Sequence, residues 1–282
     1  ETVEGEPPAP IRDQVLVEVE ACGVCYRDLI DRRGGFPFLR PPITPGHEAV
    51  GRVIAVGPQV TEWEVGDRVA TMHRDFCGTC GACLKGEISL CERAASVLGL
   101  MVDGGYATHV TLPQRCFYRA PEGIGAAEAA VLHCTYGTAW RGFSRGGGLE
   151  AGKTVLVTGA NGGVGSAAIR IASALGVEAV AVCRDEAWVA RLEELGASQV
   201  IVDREGRFHK QLGRTKIDIA LDCVGEPTFN ASLRSLRVGG AVVQIGNIVA
   251  TSASLNLGFL ITKGLRVYGS SGANRHEMAE VG

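Results

Sequence analysis

Cys77, Cys80, Cys83 and Cys91 fall in one short stretch with the spacing C-x2-C-x2-C-x7-C. Four thiolates so placed can wrap one tetrahedral ion at about 2.3 Å per bond, and the glycines between them relieve the tight turns. Because every position is sulfur, no corner is left for water or substrate, and the expected occupant is a structural zinc. Iron–sulfur clusters also take four thiolates, but ferredoxin spacings differ. Free or disulfide-bonded cysteines are the competing reading. A second stretch, Thr158-Gly-Ala-Asn-Gly-Gly-Val-Gly165, points to other chemistry. Asn161, Gly162, Gly163, Val164 and Gly165 lie where backbone can approach a pyrophosphate at a helix N-terminus. Ala160 stands where the usual fingerprint has its first glycine.

A glycine motif is informative only between a strand and a helix, and both are present. Residues 154–158 read as an apolar strand, and a helix over 167–175 is stopped by Gly176. A strand over 177–182 follows, then a helix with Val189, Leu192 and Leu195 at helical spacing, ended by Gly196. Further strands are expected at 200–202, 217–221, 241–245 and 265–268. Such alternation predicts a parallel sheet covered on both faces, a doubly wound nucleotide-binding domain. Ahead of it the chain is β-rich. Val15, Val17 and Val19 alternate with Leu16, Glu18 and Glu20, and residues 50–56 form a β-branched run closed by Gly57-Pro58. Residues 121–145 are alanine-rich and helical in character. The expected class is α/β, divided at 1–122 and 123–272.

The end of the second strand of that sheet bears on the cofactor. An acid there binds the ribose 2′-hydroxyl of NAD, whereas a basic residue suits the 2′-phosphate of NADP. The acid's usual place holds Cys183 and the next holds Arg184, so NADP is preferred over NAD. Asp185 would reach a ribose if the turn were one residue longer.

Bulk properties exclude several classes. A chain of 282 residues with 46% apolar and 21% charged residues is globular and too long for one ordinary core. A formal charge of −3 gives no basic footprint for nucleic acid or an anionic membrane. No apolar run reaches the roughly 18 residues of a membrane span, and the acidic, proline-rich residues 1–10 read as neither signal nor transit peptide. Four clustered cysteines out of ten argue for metal binding over a disulfide framework, and so for a cytoplasmic protein.

Several motifs follow one another in a fixed order: Gly23-Val-Cys-Tyr-Arg-Asp28, Gly46-His-Glu48, Gly66-Asp-Arg-Val69, the cysteine cluster and Gly104-Gly-Tyr-Ala107. Ala129-Ala-Val-Leu-His-Cys-Thr-Tyr-Gly-Thr-Ala-Trp140 and Val238-Gly-Gly-Ala-Val-Val-Gln-Ile-Gly246 come after them. The series resembles the zinc-containing medium-chain alcohol dehydrogenases over essentially the whole chain. The resemblance implies a GroES-like catalytic domain followed by a Rossmann cofactor domain, with 273–282 beginning a return to the first. It implies a catalytic zinc on Cys25, His47 and Cys134 with an open fourth position, hence two zincs per chain. Glu48 would be an alternative ligand or a neighbour assisting ligand exchange, and Asp28 would accept the other ring N–H of His47. His133 competes as third ligand, but alignment through Thr138 and Trp140 favours Cys134. Thr138, Ile245 and Gly246 would join the cofactor site. Cys22, Cys116, Cys183 and Cys223 are read as inert thiols, and Trp140 with residues 71–73 as neighbours of the pocket.

The same resemblance implies zinc-assisted hydride exchange between NADP(H) or NAD(H) and an alcohol/aldehyde or ketone. It also implies a homodimer or homotetramer paired through 265–268, and segments before Glu1 and after Gly282 that this chain would lack. Tyr26 and Arg27 follow Cys25 where the family has His or Arg and then a hydroxyl residue, and Ile30 sits where a relay histidine is often found. Simple alcohol oxidation is thereby put in question. The Cys-Tyr-Arg-Asp string, the glycine loop and Val-Gln-Ile-Gly-Asn also resemble archaeal acryloyl-CoA reductases, so NADPH-dependent enoyl reduction is the alternative. An inactive nucleotide- and zinc-binding protein is the third reading.

Overall fold

A computed structural model describes residues 4–35, 38–93, 96–249 and 251–281. Residues 1–3 of the proline-rich opening and Gly282, at the end of the expected return segment, lie outside them. The chain forms two compact units, 1–134 with 272–282, and 135–271.

The first unit holds β1 (Gln14–Cys22), α1 (Tyr26–Arg32), β2 (Ala49–Val56), β3 (Arg68–Thr71), α2 (Gly81–Leu84), β4 (His109–Pro113), β5 (Phe117–Arg119) and α3 (Ala126–Val131). Its five strands pair antiparallel in the order β4-β1-β2-β3-β5. The alternation in β1 turns Val15 and Val17 into the core and leaves Glu18 in solvent. They meet Val53, Val69, Val110, Leu112 and the fully buried Phe117. Burying such side chains stabilises by about 1.5–3 kcal/mol each.

The sequence divides the domains at 122/123, whereas the units part between Cys134 and Thr135. The buried Arg68 on β3 explains the difference. Its guanidinium donates to the carbonyls of Pro121 and Ile124 at 2.6 and 2.9 Å, tying the approach to α3 onto the sheet. α3 then packs against β1, β2 and β3.

The second unit holds α4 (Thr138–Gly146), β6 (Thr154–Thr158), α5 (Gly163–Ala174), β7 (Glu178–Cys183), α6 (Val189–Glu194), β8 (Gln199–Val202), β9 (Ile217–Asp222), α7 (Glu226–Ser235), β10 (Leu236–Gln244), α8 (Leu257–Lys263) and β11 (Arg266–Gly269). The final helix, α9 (Met278–Val281), belongs to the first unit. All six strands run parallel in the order β11-β10-β9-β6-β7-β8. Alternate residues feed opposite cores. Val155, Val157, Ala179 and Ala181 pack on one face, and Leu156, Val180 and Val182 on the other. This is the doubly wound sheet expected, and its order reverses between β6 and β9, where such sheets bind nucleotides.

Three element boundaries differ from expectation by more than a residue or two. α5 starts at Gly163 rather than 167, because Gly162 is its N-cap and the glycines are already helical. β10 begins at Leu236, with a register shift before Ala241 across Gly239-Gly240. The helical stretch over 121–145 is three pieces, with a π-helical turn, His133–Gly137, between α3 and α4.

Candidate active site and metal centres

Cys25, His47, Glu48 and Cys134 come together within the first unit, each offering a ligand atom within 4.8 Å of the others. Cys25 precedes α1, His47 and Glu48 precede β2, and Cys134 sits in the π-helical turn. Cys134 Sγ is 4.0 Å from Cys25 Sγ and 3.4 Å from His47 Nε2. A tetrahedral ion with the usual bond lengths places two sulfurs about 3.8 Å apart and sulfur and nitrogen about 3.6 Å apart. The donor set therefore fits zinc.

Neighbours hold each donor. Asp28 Oδ1 accepts the Nδ1–H of His47 at 3.1 Å, which leaves Nε2 as the lone-pair nitrogen facing the thiols. Asp28 Oδ2 accepts from the backbone N–H of Cys25 at 2.9 Å and from the Tyr106 hydroxyl at 2.7 Å. Thr71 Oγ1 accepts the Ala49 N–H and donates toward the His47 carbonyl, so β3 pins the backbone around His47 and Glu48. A Cβ at Gly23 would collide with the Glu48 carboxylate, which accounts for that glycine.

The electrostatics favour a positive charge at the convergence point. Hydrogen bonding from Cys134, with His47 beside it, outweighs burial and lowers the Cys25 thiol to about 4. Burial opposes a charged His47, but Asp28 and Cys25 prevail and raise it to about 9. Burial and the neighbouring Cys25 push Glu48 up to about 7. Groups that favour a proton on Nε2 favour a metal cation there for the same reason.

His133, the competing ligand, is turned away. Its Nε2 lies 3.2 Å from the Ala273 carbonyl and its Nδ1 is 3.3 Å from Nδ1 of His73. The π-helical turn thus presents one of two adjacent residues to the cluster. His73 stands beside it, its ring centroid 6.3 Å from that of His47. Trp140 lies in the second unit, on α4. Tyr26, next to Cys25 in the chain, is 54% exposed and is not among the cluster donors. The Arg27 guanidinium is held by Asp31 at 3.2 Å and the Leu98 carbonyl at 3.1 Å. Cys22 stays outside the cluster, its pKa raised by burial to about 11.

The second cluster is Cys77, Cys80, Cys83 and Cys91, again within 4.8 Å of one another. Sγ separations of 3.9 Å for Cys77–Cys83 and 4.0 Å for Cys80–Cys91 match a tetrahedral edge and are far from a disulfide bond of about 2.05 Å. Gly78, at φ +72°, makes the turn that lets Thr79 N–H and Cys80 N–H both donate to Cys77 Sγ.

In the second unit the expected cofactor residues gather at the carboxyl ends of the strands. Asn161–Gly165 follows β6, Cys183 ends β7 with Arg184 just after it, and Ile245-Gly246 follows β10. A Cβ at Gly165 would strike the Gly159 carbonyl, and one at Gly246 the Cys223 carbonyl, so both glycines let neighbouring backbone pack closely, while Asn161, Gly162 and Gly163 are exposed. On α4, Gly146 packs against Ile219 and Val243 and Gly142 against Leu221 and Ile245. That direction carries Thr138, the first residue of the helix, to the same end.

Three supporting residues escaped the sequence reading. Tyr106 had only its motif as a signal. Asp222 ends the apolar β9 and is fully buried, accepting from Val224 N, Gly225 N, Thr228 Oγ1, Ser232 Oγ and Gln244 Nε2. Thr158 Oγ1 accepts the Cys223 N–H at 3.1 Å. The last two brace the turns after β9 and β10.

An antiparallel unit bearing two thiolate-rich donor clusters and a doubly wound unit with a glycine loop after its first strand fit a metal-dependent nucleotide-linked oxidoreductase. Comparison with known proteins agrees. The profile of the alcohol dehydrogenase GroES-like domain matches residues 11–122, and that of zinc-binding dehydrogenases matches 163–282. The acryloyl-coenzyme A reductase of Sulfurisphaera tokodaii is 34% identical over 96% of this chain and 80% of its own length. The crystal structure of AibC superposes with a TM-score of 0.91 at 41% identity, covering 97% of this chain and 78% of that one. The cobalt- and zinc-bound thermostable alcohol dehydrogenase of Pyrobaculum aerophilum gives a TM-score of 0.90 at 31% identity over 99% and 82%. The chain belongs to the zinc-binding alcohol dehydrogenase family.

Proposed function

We propose that this chain interconverts an alcohol with its aldehyde or ketone, using NADP(H) in preference to NAD(H) and a zinc ion held by Cys25, His47 and Cys134. The observation that carries the reading is the convergence of those three donors, with Glu48 as the fourth, in one cluster whose His47 and Glu48 are buried and whose two cysteines are half-buried. When bound, zinc supplies Lewis acidity toward the substrate oxygen, and the nicotinamide supplies or accepts the hydride. The protein residues do the rest. Asp28 keeps the proton on Nδ1 of His47 and so keeps Nε2 available as a ligand. Glu48, buried and raised to about 7, would serve as an alternative ligand or as a neighbour assisting ligand exchange. Asn161–Gly165, Thr138, Cys183-Arg184 and Ile245-Gly246 would cradle the dinucleotide. Cys77, Cys80, Cys83 and Cys91 would hold a second, structural zinc.

One observation favours a second reading. The side chains after Cys25 supply no hydroxyl relay, since Arg27 is held by Asp31 and Leu98 and Ile30 is apolar. The similarity to an acryloyl-coenzyme A reductase supports NADPH-dependent reduction of an enoyl thioester. Purified protein offered NADPH with simple aldehydes and ketones, and separately with acryloyl-CoA, separates the two by loss of absorbance. Turnover confined to the thioester would replace the first reading with the second. NADPH binding without turnover on either class would leave an inactive nucleotide-binding protein.

Two coarser points complete the proposal. β11 is the outer strand of its sheet, with Arg266 and Val267 exposed, and is the strand we expect to pair with a second copy in a homodimer or homotetramer. Light scattering on Val267→Lys tests this, a wild-type mass ruling it out. Clustered reduced thiols suit the cytoplasm, which cell fractionation checks. Among the described residues no helix is long and apolar enough to cross a membrane.

A further inference from the structure

We propose that Arg204, acting with Arg184, is a specificity-determining residue for the phosphate on the adenosine ribose of NADP(H), an inference that rests on the cofactor preference proposed above.

β7 and β8 are neighbours in register to their last residues, Cys183 opposite Val202. The chain therefore leaves both strands at the same edge of the sheet. Asp203 N–H donates to the Cys183 carbonyl at 2.9 Å, and Arg204 Nε donates to the Arg184 carbonyl at 2.8 Å. That bond draws the Arg204 side chain alongside residue 184, at the strand end where dinucleotide folds read the ribose 2′ position. It engages Nε alone. Among the described residues the two terminal nitrogens of Arg204 have no partner, and neither has the Arg184 guanidinium, both side chains lying in solvent. A fork with both terminal nitrogens free suits bidentate capture of a phosphate.

Four acids lie near by, and three are spent locally. The Asp185 carboxylate accepts Ala187 N–H at 3.0 Å, capping the turn that follows. Asp203 accepts the N–H groups of Glu205, Arg207 and Phe208 at 3.1, 2.6 and 2.8 Å. Glu205 pairs with Arg207 at 3.2 Å. Glu186 remains exposed at the start of the turn. Asp203 is thus committed to the turn that follows it and Asp185 keeps one oxygen unengaged, while the two unpaired arginines give the strand edge the charge that a 2′-phosphate needs.

The test is equilibrium binding to the full chain, with NADPH and NADH followed by nicotinamide fluorescence and 2′,5′-ADP and 5′-ADP by calorimetry. Wild-type protein should bind NADPH more tightly than NADH. Arg204→Ala should weaken NADPH and 2′,5′-ADP about tenfold while NADH and 5′-ADP stay within about twofold. Arg204→Lys, which keeps the charge without the fork, should fall between. Equal weakening of both dinucleotides would reduce Arg204 to a brace of the turn and overturn the proposal. A wild-type preference for NADPH that persists in Arg204→Ala would overturn it while leaving the cofactor reading intact. Wild-type protein without any preference would remove that reading and this inference together.

Discussion

Asp28 and His47 meet through a single contact, Oδ1 to Nδ1 at 3.1 Å, with both side chains buried. The contact joins the first turn of α1 to the segment entering β2, and it decides which imidazole nitrogen faces Cys25 and Cys134. The other oxygen of the same carboxylate caps the N-terminus of α1 at Cys25. One side chain therefore orients two of the three proposed ligands.

Asp28→Asn should lower zinc affinity by about 10–100-fold, because an amide can present its NH2 to Nδ1 and favour the wrong tautomer. Competition with a chelating dye measures this. Wild-type affinity in the variant would mean that the ring is oriented by something else.

Adjacent residues 133 and 134 should behave oppositely. Cys134→Ser is expected to reduce activity on the order of a thousandfold, the scale of losing several kcal/mol of Lewis-acid stabilisation, and to weaken retention of one zinc per chain. His133→Gln keeps a group that can donate to the Ala273 carbonyl and should keep both zincs. Elemental analysis beside kinetics tells them apart. A zinc lost from His133→Gln but not from Cys134→Ser would reverse the ligand assignment.

Cys80→Ser should act on stability before chemistry. The buried Cys80 is N-cap of the short α2, and losing its bond to the proposed zinc would remove the tie between that turn and Cys91. A loss of about 4 kcal/mol lowers Tm on the order of 10 °C. Calorimetry should show this fall while NADPH still binds, since the dinucleotide residues belong to the other unit. An unchanged Tm would show the lobe to be dispensable.

Asp222→Ala removes the acceptor of five donors around a fully buried carboxylate and strands three of them, Val224 N–H, Gly225 N–H and the Ser232 hydroxyl, since Thr228 keeps the Gly225 carbonyl and Gln244 that of Gly246. The expected cost is about 3 kcal/mol or more, read by denaturant unfolding. Because Gly225 and Gly246 lie on the turns it braces, NADPH affinity should drop while zinc content holds at wild type. Loss of zinc with unchanged NADPH affinity would contradict that placement.

How much of this was legible beforehand depended on distance along the chain. The Cys77–Cys91 cluster was readable because all its ligands lie on one short segment, where spacing alone limits the geometry. The glycine loop was readable because its strand and helix flank it directly. In α5 only the starting residue was misjudged, since glycines with helical dihedrals do not look helical by propensity. The compact units part twelve residues beyond 122/123, and Arg68, a strand residue far upstream, holds Pro121 and Ile124 on the first sheet. Tyr106 and Asp222 were invisible as supports, because a polar residue declares its role only through what surrounds it.

Residue order by itself determined the two-domain plan, the four-thiolate lobe, the dinucleotide loop and, through family likeness, the candidates Cys25, His47 and Cys134. Tertiary structure alone decided that these three meet, that Cys134 faces the cluster while His133 turns to Ala273, and that Asp28 selects the nitrogen of His47. The physical reason is reach. Local propensity and spacing act over a few residues, whereas bringing Cys25 within 4.0 Å of Cys134 requires a sheet, a helix and a π-helical turn to close a loop of more than a hundred residues.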